Sequence, residues 1–140
     1  MNGEEKTYVD QVFGEMKYKH RWEKKGTVTL FGMTWDIVIA AKAYRGKEIT
    51  ESQRDSYKRY KDAEGTLLEK AEEALTEYVR NTEHEAESRE ALKNHLHPKT
   101  LLFKQNGDII LLLDCAWEPD QGLAVSLYPE ILVAIQDMFL

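Results

Sequence analysis

What this chain is short of narrows its possibilities first. It carries one cysteine and three prolines in 140 residues, and nowhere a run of about 18 uncharged apolar residues. A lone cysteine excludes an intramolecular disulfide. No CxxC or HExxH spacing occurs, so the common zinc signatures are missing, and no metal or cofactor is expected. Without a long apolar run or a charged-then-apolar leader, neither a transmembrane helix nor a secretory signal is expected, and the chain is predicted to be cytoplasmic with no membrane contact. Net positive charge is also missing beyond the start. The net charge is +3 over residues 1–47, −5 over 48–97 and −4 over 98–140. Nucleic-acid binders concentrate Lys and Arg on one face to displace counterions from phosphates, so a nucleic-acid partner is not expected.

What is present suits a single domain over residues 1–140. At 42% hydrophobic, a chain of this length can bury roughly 68–70% of its unfolded surface without staples. In "MKYKHRWEKKG", Met16, Tyr18, His20 and Trp22 alternate with Lys17, Lys19, Arg21 and Glu23, the period of a strand with one dry and one wet face. Lys24-Lys25-Gly26 then reads as a turn, "TVTLFG" as a second strand, Gly32-Met33 as a reversal, and "TWDIVIAAKAY" as a longer strand with Trp35, Ile37, Ile39 and Ala41 on one face. "YVDQVF" supplies an edge strand.

From Ile49 the period changes. Thr50 and Gln53 fit a capping box, and Tyr57, Tyr60, Leu67, Leu68, Ala71, Leu75, Tyr78 and Val79 recur at helical steps, with Gly65 a place for a bend. A second capping signal at Asn81-Thr82 and Glu85 predicts a shorter helix carrying Leu92 and Leu96 and ending before Pro98. The last segment returns to strands. Asn106-Gly107 marks a hairpin, Ile109–Leu113 reads as a strand covered on both faces, and "GLAVSLY" and "ILVAI" complete the series. The fold class predicted is α+β: an antiparallel sheet from an N-terminal meander and C-terminal hairpins, with one long and one shorter helix inserted between them and packed on it.

The stretch "DCAWEPDQGLAVSL" is the densest group of reactive side chains. Asp114, Cys115, Trp117, Glu118 and Asp120 could form a small hydrolase or ligand site, but Pro119, Asp120 and Gly122 are turn formers, and nothing local supplies a base for the thiol. The acids do not match an EF-hand spacing. His95 and His97 are predicted at a helix end, where residues two apart diverge. The cations and rings of "KYKHRWEKK" fall on opposite faces of a strand, which reads as a solvated sheet face able to meet an acidic partner.

Phe13-Gly14, the strand at Trp22, and a D-x-x-W-x-x-x-x-G-L-x-V segment formed by Asp114, Trp117, Gly122, Leu123 and Val125 resemble an uncharacterised bacterial domain family of small cytosolic proteins, some of them near polymorphic-toxin immunity genes. This chain has Ala134-Ile135 where members often show a glycine. The resemblance implies an α+β fold and carries no catalytic residues. Three functions are weighed. The first is a non-enzymatic acidic protein-binding domain, in its most specific form an immunity protein neutralising a basic toxin through Asp62, Glu69, Glu73 and Glu77 on the exposed face of the long helix. The second is an enzyme around Asp114–Asp120, and the third a structural homo-oligomer pairing through the strand at Tyr8.

Overall fold

Apolar residues spaced by two along the N-terminal third require a shared dry face, and successive strands provide it. A computed structural model describes residues 6–43, 47–81 and 91–140. Strands β1 (Lys6–Asp10), β2 (Gly14–Tyr18), β3 (Trp22–Leu30) and β4 (Met33–Ala41) form an antiparallel meander. Helix α1 (Glu51–Asn81) follows, and then β5 (Leu96–Phe103), β6 (Ile109–Cys115), β7 (Leu123–Tyr128) and β8 (Leu132–Ile135). All eight strands join one sheet in sequence order. The α+β class and the long helix between two groups of strands are as expected.

The sheet itself is mixed, which corrects the antiparallel expectation. β4 and β5 run parallel, with Val38 opposite Thr100 and Ala41 opposite Phe103. Parallel neighbours need a crossover, and α1 is that crossover. It lies on one face of the sheet, where Leu68, Ala71, Leu75 and Val79 join a core containing Met16, Leu30, Leu111 and Val125. On the far face, Ala40, Leu102, Ile110 and Ala124 form a second buried cluster, with Val38, Leu112 and Phe139 packed against it. β6 therefore has apolar neighbours above and below, as its unbroken run of Ile and Leu predicts. Among the described residues, no helix is long and apolar enough to cross a membrane.

The capping box forms as spaced. The Thr50 N–H donates to Gln53 Oε1 at 2.8 Å, and the Gln53 N–H donates to Thr50 Oγ1 at 3.1 Å. Gln53 does more than cap. Its Nε2 donates to the carbonyls of Lys42 and Phe103 at 2.7 and 2.9 Å, joining the ends of the parallel pair beneath the helix. The helix is interrupted at Ala63, whose φ of −123° and ψ of 19° are not helical, two residues before the glycine expected to bend it. Of the expected inward stripe, Tyr57, Tyr60, Leu68 and Leu75 are buried, while Leu67 and Tyr78 are partly buried against the same core.

Three local expectations are corrected. Met16–Trp22 is two strands, because the chain turns at Lys19–Arg21; His20 is exposed there instead of sharing the face of Trp22. Lys24-Lys25-Gly26 is no turn but the middle of β3, paired with Ile39, Val38 and Ile37. A Cβ on Gly26 would stand 2.4 Å from Ile39 Cδ1, so the glycine marks close packing. Among the described residues the shorter helix is not found: residues 91–94 form one 3₁₀ turn, and Leu96 begins β5. Leu92 and Leu96 are both buried, as a helix would require, yet Leu96 pairs with Cys115, and an irregularity between Pro98 and Thr100 lets the proline sit inside the strand. Residues 82–90, with the Thr82 and Glu85 capping signal, lie outside the described residues.

Candidate functional site

The second segment of α1 presents most of the acids on one element. Residues 64–80 hold five carboxylates against Lys70 and Arg80, whereas 51–62 hold Arg54, Lys58, Arg59 and Lys61 against Glu51, Asp55 and Asp62. Glu69, Glu73 and Glu77 recur every fourth residue on the solvent side, opposite the buried Leu68, Ala71, Leu75 and Val79. The structure therefore brings these three together. Asp62 is also exposed but lies beyond the interruption at Ala63, so the seven-residue spacing that would align it with Glu69 in an unbroken helix is broken.

Glu64 and Glu72, not selected from sequence, belong to the same acidic side and have structural duties. Glu64 accepts the Tyr60 hydroxyl at 3.1 Å, and burial together with this carboxylate pushes the phenol well above its ordinary pKa. Glu72 accepts the Phe31 N–H at 3.0 Å. Phe31 and Gly32 both have positive φ, 53° and 77°, the mark of a type I′ hairpin turn, so Glu72 holds the tip of β3–β4 to the helix. An open depression of about 570 Å³ between that hairpin and the helix is lined by Thr29, Glu64, Gly65, Leu68, Glu69 and Glu72. Another, of about 480 Å³, is lined by Glu73, Thr76, Glu77 and Arg80.

The alternative site is a tight connection between β6 and β7. Asp114 is exposed and faces Lys99 at 3.6 Å, and Asp120 is exposed on the turn. The Glu118 N–H donates to the Cys115 carbonyl at 3.1 Å, and the Gly122 N–H to the Glu118 carbonyl at 2.7 Å. Gly122 has φ 65°, and a Cβ there would stand 2.7 Å from the Leu113 carbonyl, so only glycine closes this turn. Cys115 is buried. Burial pushes its thiol pKa up, assisted by the Glu118 charge and only partly opposed by the N–H groups of Trp117 and Glu118. Such a thiol is a poor nucleophile at neutral pH.

Trp117 stacks on His95, with ring centres 4.5 Å apart, while His97 faces Trp35 at 5.0 Å. The two histidines thus serve different aromatic partners, and His97 lies in β5 rather than at a helix end. Among the described residues, no group of three or more His, Cys, Asp or Glu is placed to hold a metal ion.

The basic stretch forms a third feature. Trp22 is buried and meets Tyr18 and Tyr8 at 5.2 and 5.7 Å between ring centres, while Lys17 and Lys25 are exposed. Tyr18 and Trp22 part from Lys17 and Lys25 as the alternation predicts, but Lys24 lies on the ring side over Tyr57 and His20 is exposed in the turn. A concavity of about 380 Å³ on the face away from α1 is lined by Glu15, Lys17, Lys19, Glu23, Lys24, Lys25 and Val38. Sequence spacing revealed the side-chain alternation but not this hollow, because its shape depends on how far β2 accompanies β3.

Compared with known proteins, residues 12–138 match the family model described as a domain of unknown function, DUF6985. No curated protein and no solved structure matches the chain.

Proposed function

The chain belongs to the DUF6985 family, and from that starting point we propose that it is a non-enzymatic binding domain whose acidic helix face covers a basic surface of a protein partner. The supporting observation is the division of labour along α1. Glu64 and Glu72 bond inward to Tyr60 and Phe31, whereas Glu69, Glu73 and Glu77 lie on the exposed side in a stripe beside two depressions. A carboxylate row of this kind steers a cationic partner and fixes its register. In its most specific form the partner is a bacterial toxin with a basic active-site cleft, which the acidic face would block against a phosphate-bearing substrate. The setting is then a bacterial cytoplasm.

The test is affinity capture with the intact protein, followed by association kinetics of the purified partner with wild type and with Glu69→Lys/Glu73→Lys/Glu77→Lys. The expected result is an association rate that falls by at least about tenfold at low salt and converges with wild type as salt rises. Equal rates at low salt defeat the acidic-face mechanism.

A second reading, self-association, is favoured by one observation. Edge strand β1 exposes Tyr8 (39%) and Val9 (72%) beside unpaired backbone on its outer side. Sedimentation of the protein across a wide concentration range decides it, since a constant monomer mass removes pairing through β1. The enzyme reading retains Asp114, Cys115, Trp117, Glu118 and Asp120, and a Cys115→Ser protein with full biological effect removes its thiol form.

A further inference from the structure

β3 is fully paired on one side and scarcely paired on the other. All nine of its residues are in register with β4, from Trp22 opposite Ala41 to Leu30 opposite Met33. β2 accompanies it only at Lys17–Glu23 and Tyr18–Trp22, although all five residues of β2 are paired with β1. Beyond Glu23 the two strands splay. Gly14 enters β2 with φ 84°, and Phe13 turns away to stack on Tyr57 at 4.4 Å on the helix side.

The two-residue turn at Phe31-Gly32 determines which backbone groups this splay exposes. Residues flanking such a turn exchange both hydrogen bonds, and bonded and non-bonded pairs then alternate along an antiparallel ladder. Leu30, Val28, Gly26 and Lys24 bond to β4. Lys25, Thr27 and Thr29 therefore point their N–H and C=O groups outward, and among the described residues no strand is in register with them on that side. All three are exposed.

The surroundings of this edge differ at its two ends: Thr29 borders the depression lined by Glu64, Glu69 and Glu72, whereas lysines predominate at the other. At its Lys25 end lies the 380 Å³ concavity with Lys17, Lys19 and Lys25. Glu23, one of its two carboxylates, is paired with Arg21 at 2.9 Å, which leaves Glu15 as the other acid facing in. Lys24, which also lines the concavity, reaches the Phe13 carbonyl and lies 4.8 Å from the centre of the Tyr57 ring, bridging the splay on the helix side.

We propose that the Lys25–Thr29 edge of β3 is a docking site for an extended acidic segment of another protein, which adds a strand to the sheet and sets its carboxylates over Lys17, Lys19 and Lys25. Main-chain bonds to Lys25, Thr27 and Thr29 supply affinity, and the lysines select alternating acidic side chains. At its Thr29 end the site borders the acidic face of α1, so the carboxylates of the docked segment are confined to the Lys25 end.

The experiment uses the full chain and a labelled peptide alternating glutamate with valine. In the free protein, the amides of Lys25, Thr27 and Thr29 are expected to exchange with solvent at least about tenfold faster than those of Lys24, Gly26 and Val28. Added peptide should slow the first three. Lys17→Glu/Lys25→Glu, which alters only exposed side chains, should weaken peptide binding by at least about tenfold. The same peptide N-methylated on its pairing edge should not bind. Protection of Lys25, Thr27 and Thr29 in the free protein overturns the proposal, as does absence of binding. Equal binding of the N-methylated peptide, or of a peptide with lysine in place of glutamate, overturns it as well.

Discussion

The two segments of α1 are held to the same sheet by different forces. Before Ala63, polar side chains anchor the helix to specific backbone groups. Gln53 bonds the ends of β4 and β5, Ser56 donates to the Gly107 carbonyl in the β5–β6 turn, and Arg54 pairs with the buried Asp10 at 2.8 Å. After Ala63 the attachment is mainly aliphatic, through Leu68, Ala71, Leu75 and Val79, with Glu72 reaching Phe31. Directional bonds determine where the first segment sits, while burial of area holds the second. An aliphatic underside leaves the upper side of the second segment free to vary its charge, which is where the candidate acidic stripe lies.

The sharpest challenge to this contrast is Leu75→Ala. Leu75 is fully buried, and its truncation should destabilise the protein by about 2–5 kcal/mol in denaturant unfolding. A change near zero would show that the second segment is not held by its apolar side.

Next in size is Arg54→Met, expected at about 1–3 kcal/mol because it leaves Asp10 buried with only the N–H groups of Val12 and Phe13. Its effect should depend on pH. Burial alone would raise the Asp10 pKa, but the hydrogen bond from Arg54, the two N–H groups and the Arg54 charge outweigh it and hold the carboxyl below its ordinary value. A carboxylate with a depressed folded pKa contributes stability above its unfolded pKa and loses it as pH falls through the folded one. The gap between wild type and variant should thus be widest at neutral pH and narrow in strong acid. A gap that is constant across that range breaks the assignment.

Thr50→Ala comes third. It removes the hydroxyl that accepts the Gln53 N–H and donates to the Gln105 carbonyl, for about 1 kcal/mol. The smallest effect belongs to Glu69→Lys/Glu73→Lys/Glu77→Lys, each substitution changing stability by no more than about 0.5 kcal/mol while partner association falls. A large loss of stability there would mean that the stripe holds the fold rather than a partner.

Local signals were legible wherever one residue type leaves little choice of conformation. Thr50 with Gln53 started the helix where predicted, and Asn106-Gly107 made the hairpin, with Gly107 at φ 99°. The apolar spacing identified most of the inward residues of α1. Failures arose where two structures share one pattern. Met16–Trp22 alternates equally well as one strand or as two strands joined by a turn, and Leu92 and Leu96 can be buried by a helix or by a turn followed by a strand. The candidate acids were similarly divided: spacing placed Glu69, Glu73 and Glu77 together, but it could not reveal that Ala63 separates Asp62 from them.

By itself, then, the order of residues determined most element types, the main capping site and hairpin, and most of the apolar faces, because each follows from backbone preferences and periodicity within a few residues. Tertiary structure alone decided the parallel pairing of β4 with β5, the reach of Gln53 between them, the burial of Asp10 against Arg54, and the early parting of β2 from β3. Those features join groups distant in sequence, and no local period records which strand will lie beside which or where a ladder will stop.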